Sequence, residues 1–249
     1  MEDNKIPGLV QKSASLSAGE VTDRQLAKIN KYTLEPLTAE QVFAFKAVLC
    51  DNKVDRDFER FSEKALDDLR KMFVGRTVIK DHRPSADSQI ARIYDTELVK
   101  GELLQNGEPY TQLIAHCYMV RTAGNADLIT EIVGGIRKEG SIRCSVSKCI
   151  CSECGADNRK AYCQHYRGRK YSKGEPCYFT LDGAKDAYEF SLVAVPAQKA
   201  AGVSKSYTGV TVYESDQPQE SPADDTTEKE LRQRIRMMAL RARTQKEEI

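Results

Sequence analysis

The sequence predicts an α+β fold in which strands dominate. Three observations carry this. Short β-branched and aromatic runs outnumber helical patterns along the chain. Two core helices with capping signals stand among them. Hydrophobic residues make up 40% of 249 positions, enough for one sizeable domain with polar appendages.

Residues 1–20 are small, polar and aperiodic, and are expected to be disordered. Residues 22–32 suit a short helix. Thr38 and Gln41 have capping-box spacing, but VFAFKAVLC (42–50) after them reads as a strand. DNKVDRDFERF (51–61) is a charged loop. Ser62 is an N-cap for EKALDDLRKMF, which puts Leu66, Leu69 and Phe73 on one face, and Gly75 ends it. RTVIK (76–80) is a short strand that delivers Asp81 and His82 at its end. SQIARIYDTELV (88–99) and TQLIAHCYMV (111–120) are strands joined by the turn-rich KGELLQNGEPY. Residues 125–133 form a helix closed by Gly134 and Gly135. Residues 140–148 and 188–195 are strands, the second stopped by Pro196. From about Gly202 the chain turns polar. ESDQPQESPADDTTEK (214–229) is a linker by composition, and Thr227 and Glu230 open a last helix with a Leu231, Ile235 and Met238 stripe. The domains expected are a core over 21–148 and 178–203, an insert over 149–177, a linker over 204–226 and an amphipathic helix over 227–249.

Basic and acidic residues balance at 38 and 37, so no global field points to nucleic acid. No apolar run approaches the roughly 20 residues that span a bilayer, and the start MEDNKIPGLVQKSASLS lacks the pattern of a secretory signal. A reducing compartment follows as the expectation, in which clustered cysteines read as metal ligands rather than disulfides. Cys50 and Cys117 lie in apolar runs and read as buried free thiols.

The cluster is the insert itself. Five of the eight cysteines fall between Cys149 and Cys177. Cys151-x2-Cys154-Gly is a knuckle that supplies two ligands, and Cys163-x-His165 supplies two more, the tetrahedral complement of a zinc ion. Cys149 and Cys177 are spare candidates, either of which could replace a member of the set. The alternative is a loop of unligated thiols. No acidic ligand leaves an open position, so the zinc expected is structural: a segment this rich in Gly, Lys and Tyr builds no core of its own. Arg159, Lys160, Arg167, Arg169, Lys170 and Lys173 interleave with Tyr162, Tyr166 and Tyr171, a pattern compatible with nucleic-acid binding. A solvated basic loop is the commoner source of such a pattern.

Candidate catalytic residues lie on either side of the insert. A serine hydroxyl becomes a nucleophile when a histidine takes its proton and a third group holds the imidazole. His82, at a strand end, is the base candidate. Ser141, Ser145 and Ser147 share one strand face at period two, and Glu189 opens the strand EFSLVAVP.

The order of these pieces resembles the tailed-phage prohead (head-maturation) serine proteases, relatives of the herpesvirus assemblins. The likeness covers about 42–203. It rests on AVLCDNKVDRDFERFSEKAL, on VIKDHRPSADSQIARI, on Ser141-Ile142-Arg143-Cys144, and on Glu189-Phe190-Ser191-Leu192-Val193-Ala194-Val195-Pro196-Ala197. Arg143 stands where the family has Gly, Cys144 where it has an aromatic residue, and Ala91-Arg92-Ile93 replaces Gly-Arg-Val. The resemblance implies a mostly antiparallel β-barrel with packed helices, here with a zinc-binding insert and a C-terminal helix. It implies His82 as base, Ser141 as nucleophile (Ser145 offers a second register) and Glu189 as third member, with His116 a rival. It further implies an endopeptidase that processes phage scaffold and major capsid proteins inside an immature capsid in the host cytoplasm, oligomerising or co-assembling with them and touching no membrane. Two other readings stand beside it: a catalytically inactive phage structural protein with the protease fold, and a zinc-dependent nucleic-acid-binding module.

Overall fold

Helices form where their caps direct. The computed structural model describes residues 21–198 and 200–203. Thr22 opens α1 (Asp23–Ile29) through a capping box with Gln25. Ser62 opens α2 (Glu63–Met72): its Oγ accepts from Ala65 N at 3.0 Å and donates to Asp182 at 2.6 Å. Leu66, Leu69 and Phe73 are fully buried, as their shared face requires. The third helix, α3 (Ala126–Val133), ends at Gly134.

The strands are β1 (Val42–Asp51), β2 (Glu59–Phe61), β3 (Thr77–Lys80), β4 (Ala91–Leu103), β5 (Pro109–Val120), β6 (Gly140–Cys151), β7 (Phe179–Leu192) and β8 (Gly202–Val203). β4, β5, β6 and β7 extend beyond the periodic segments of the sequence. β7 begins nine residues before Tyr188, because the stretch Thr180 to Ala184 pairs on β6 although its composition is that of a turn. β2 lies within the expected charged loop, too short to show a period.

The antiparallel barrel implied by the resemblance is not what this chain forms. One mixed sheet runs in the order β2-β7-β3-β4-β5-β1-β8, with β6 pairing on β7, and the ladder does not close. β7 explains this. One of its edges takes β6 along almost its whole length. Its other edge takes β2 opposite Phe179–Leu181 and then β3 opposite Glu189–Leu192, both parallel to it. The chain leaves that edge after β2, crosses α2 over the sheet face, and returns to the same edge further along. A crossover of this kind gives parallel pairing. Near β8, Glu139 and Gly202 meet in an isolated bridge rather than a ladder. The helix expected over 227–249, the linker before it and the disorder expected over 1–20 lie outside the described residues.

α2 covers one sheet face. Its Leu66, Leu69 and Phe73 pack with Phe45 and Leu49 of β1, Ile93 of β4, Leu113 of β5 and Phe190 of β7. Ile29 of α1 packs with Val42, Tyr94 and Tyr118 in a second cluster. Cys50 and Cys117 are buried thiols in the main core, as their apolar settings predict, and burial pushes the Cys117 pKa well up. Among the described residues, no helix is long and apolar enough to cross a membrane.

Candidate functional site

Asp81 and His82 form the turn after β3 with φ of +54° and +52°, a left-handed conformation that residues other than glycine seldom adopt. Arg83 N–H closes the turn on Lys80 O at 3.1 Å. Asp81 N–H donates to Leu192 O at 3.0 Å, and His82 N–H donates to Ser191 Oγ at 3.1 Å. These bonds hold the turn against the end of β7 and bring the imidazole to Glu189.

Glu189 and Ser191 point to one face of β7 because they are two residues apart. Glu189 is buried, and both of its oxygens are engaged. His82 Nδ1 lies 2.7 Å from Oε1, and Ser191 Oγ donates to Oε2 at 2.7 Å. An ionised carboxylate only accepts, so Nδ1 carries the proton and Nε2 presents its lone pair. The bonds close into a ring: His82 ring to Glu189, Glu189 to Ser191, Ser191 to the His82 backbone. Orientation and tautomer of the imidazole are fixed by one strand.

Ser141 stands on the same face one strand over. In the β6–β7 register Ser141 opposes Ser191 and Arg143 opposes Glu189. Gly140, just before it, lies under the Phe190 ring, where a Cβ would fall 2.2 Å from Cζ. Ser141 makes no hydrogen bond with His82 among the described residues, so the structure joins His82 to Glu189 and sets Ser141 beside them. Ser145 opposes Asp186 beyond an irregularity in the ladder, and Ser147 donates to Gly183 O at 2.9 Å. Of the three serines, Ser141 is the one opposite the ring of bonds. A cleft of about 540 Å³ runs alongside, walled by Ile79, Pro84, Ala86 and Tyr188, with Arg143 and Glu189 on its polar side. Arg143 Nε approaches Glu189 Oε1 to 3.9 Å.

His116 is placed elsewhere. It lies on β5, with Nε2 3.0 Å from Glu97 Oε1 and its ring edge-on to Tyr94. The His116 bond, against an opposing burial effect, holds the Glu97 pKa down at about 2.

The cysteine cluster forms at the far end of β6. One ligand atom each from Cys151, Cys154, Cys163 and His165 lies within 4.8 Å of the others. Cys151 is the last residue of β6. Gly155 has φ +71°, and its N–H returns to Cys151 O at 2.9 Å, which turns Cys154 back to face Cys151. Asn158 Oδ1 accepts from Cys163 N at 3.0 Å, and Asp157 Oδ1 from Cys149 N at 3.0 Å, so the second ligand pair is tied to the first. Burial works against the Cys163 thiolate. Hydrogen bonds from the His165 backbone and ring, from Cys151 and from Asn158 outweigh it and bring the pKa down to about 7. Among the described residues His165 Nδ1 is buried without a hydrogen-bond partner, an orphan that fits a metal-ligand role. The donor set therefore fits a metal ion. Cys177 Sγ lies 3.8 Å from Cys151 Sγ, behind the set, and Cys149 is buried beside them.

Ser191 joins the His82 and Glu189 cluster without having been expected there. Its signal was present: two places from Glu189 in a strand, it must share that residue's face. Searches for similar proteins find no matching family model, no matching curated protein and no matching solved structure.

Proposed function

We propose that the protein is a serine endopeptidase with a structural zinc site. The observation that carries this is the 2.7 Å contact of His82 Nδ1 with buried Glu189, beside Ser141 on the same sheet face. Ser141 Oγ attacks the scissile carbonyl carbon, and His82 Nε2 takes its proton. Glu189 stabilises the imidazolium that forms. The tetrahedral intermediate collapses as His82 returns the proton to the leaving amine. Water, deprotonated by the same imidazole, then releases the acyl group from Ser141. The setting in an immature phage capsid, with scaffold and major capsid proteins as substrates, rests on the sequence resemblance alone.

Zinc suits three thiolates and one imidazole in a closed set. It would be held by Cys151, Cys154, Cys163 and His165, and would supply a fixed tetrahedral crosslink rather than chemistry on substrate.

The test is covalent labelling of the full chain by a fluorophosphonate, with the modified peptide mapped by mass spectrometry and self-cleavage followed by intact mass. Wild type should label at Ser141. Ser141→Ala and His82→Ala should not, and Glu189→Gln should label about 10² to 10⁴ times more slowly. A folded wild type that neither labels nor cleaves would leave the inactive structural reading in possession, which Arg143 beside Glu189 already motivates. Purified protein should carry about one zinc per chain.

A further inference from the structure

We infer that the metal-bearing insert has a second role: its outer face binds single-stranded nucleic acid. The argument begins with what is unpaired. Elsewhere on the described chain half of the exposed cations have a carboxylate within 4 Å, Lys64, Lys71, Lys100, Arg137 and Lys148 among them. In the insert only Arg167 does, with Glu59 at 2.5 Å. Arg159, Lys160, Arg169 and Lys170 make no ion pair among the described residues. Segment 152–176 holds six cations against three carboxylates in a chain that is otherwise near neutral. Three thiolates around a divalent ion remove one positive charge and leave the excess in place.

The aromatic residues are the second, independent observation. Tyr162 is 93% exposed and Tyr166 is 65% exposed, the two most exposed aromatic side chains among the described residues. They flank the second ligand pair, one immediately before Cys163 and one immediately after His165. The metal therefore fixes both rings to one short rigid segment, at most about 14 Å apart along the chain. The Arg169 guanidinium already lies over the Tyr166 ring, 5.4 Å from its centroid. Tyr166 N–H donates to Tyr171 OH at 2.8 Å, and the Tyr171 ring meets His165 edge-on at 4.6 Å, so the platform is braced on the ligand itself.

Fixed exposed rings among unpaired cations match a strand whose bases are free to stack and whose phosphates are free to pair. A duplex hides its base faces, and an anionic membrane needs the charges but gains little from flat exposed rings. Neither the rings nor these cations contribute to the cleft beside His82, so this surface is independent of the proposed hydrolysis.

The experiment uses full-length metal-loaded protein and fluorescein-labelled dT20, read by anisotropy from 50 to 300 mM salt. Binding should weaken steeply with salt. Tyr162→Ala and Tyr166→Ala should each weaken it about 5- to 100-fold. An Arg169→Gln, Lys170→Gln pair should flatten the salt slope. Zinc content is measured on every variant, so a lost fold is not read as lost binding. Labelled duplex of the same sequence should bind more weakly than dT20. No binding at 50 mM salt would overturn the inference, as would tyrosine variants that bind like wild type, equal affinity for the duplex, or tighter binding to anionic phosphatidylserine vesicles.

Discussion

Ser191 has three partners and no exposed surface. Its hydroxyl accepts from the His82 backbone and donates to Glu189, and its Cα opposes Ser141 across the ladder. Ser191→Ala changes little volume, so its cost is almost wholly polar. It strands a backbone N–H and a buried carboxylate oxygen, each of which needs a partner. We expect a loss of about 1–3 kcal/mol of stability, measured by urea unfolding. A loss under about 0.5 kcal/mol would mean that water replaces the hydroxyl without penalty and that the ring of bonds is not what holds His82. His82 was legible as a candidate because it ends a short strand beside turn residues, and Glu189 because it opens the periodic run EFSLVAVP, although β7 itself begins ten residues earlier. Their contact was not legible. It depends on two successive left-handed residues, and nothing in Asp81-His82-Arg83-Pro84 announces that geometry.

Among the elements, α2, β1 and β5 could be read directly, from the Ser62 cap with its apolar face and from uninterrupted β-branched runs. The first half of β7 could not. LDGAKDA carries turn residues, and it is strand only because β6 pairs along it; tertiary pairing overrode local propensity there. The same hidden length conceals the mixed sheet, since β2 docks on it, ahead of β3 on the legible end of β7. The insert is the element most dependent on something other than packing. Its buried residues Cys149, Cys151 and Cys177 form with Phe179 of β7 a small cluster separate from the main core. Chelation should therefore loosen 152–176 while the sheet stays folded. Limited trypsin digestion should then cut after Arg159, Lys160, Arg169 or Lys170 in chelated protein and spare the metal-loaded form. Equal resistance in both forms would show that hydrogen bonds from Asp157 and Asn158 suffice without a metal.

Across the whole molecule, stability depends on how carboxylates are distributed. Glu97 is held at about 2, first by its bond from His116. Its folded pKa lies below the unfolded value, so its contribution is present above about pH 4.3 and is lost as pH falls toward 2. Asp51, Asp55 and Glu59 are shifted the other way, chiefly by burial, and are relieved by protonation in acid. The acid limb of the whole protein is thus a sum of opposing contributions, and a comparison with Glu97→Gln isolates one of them. Wild type should be the more stable above pH 4.3, with the gap closing as pH approaches 2 in urea titrations. A gap that stays constant across that range would show that Glu97 does not titrate in the way its His116 bond implies.

The β6–β7 hairpin carries the Ser141 face at one end and the Cys151 knuckle at the other, about 33 Å away along the strand. Two irregularities interrupt the ladder between them, at Arg143/Cys144 and at Ser145/Val146. A slip of one residue would turn every side chain to the opposite face and carry Ser141 into the core. The knuckle closes the hairpin where Cys151 opposes Phe179, and so it works like the stop at the foot of a zip fastener. Everything above it, including which residue stands opposite Ser191, is counted from that fixed tooth.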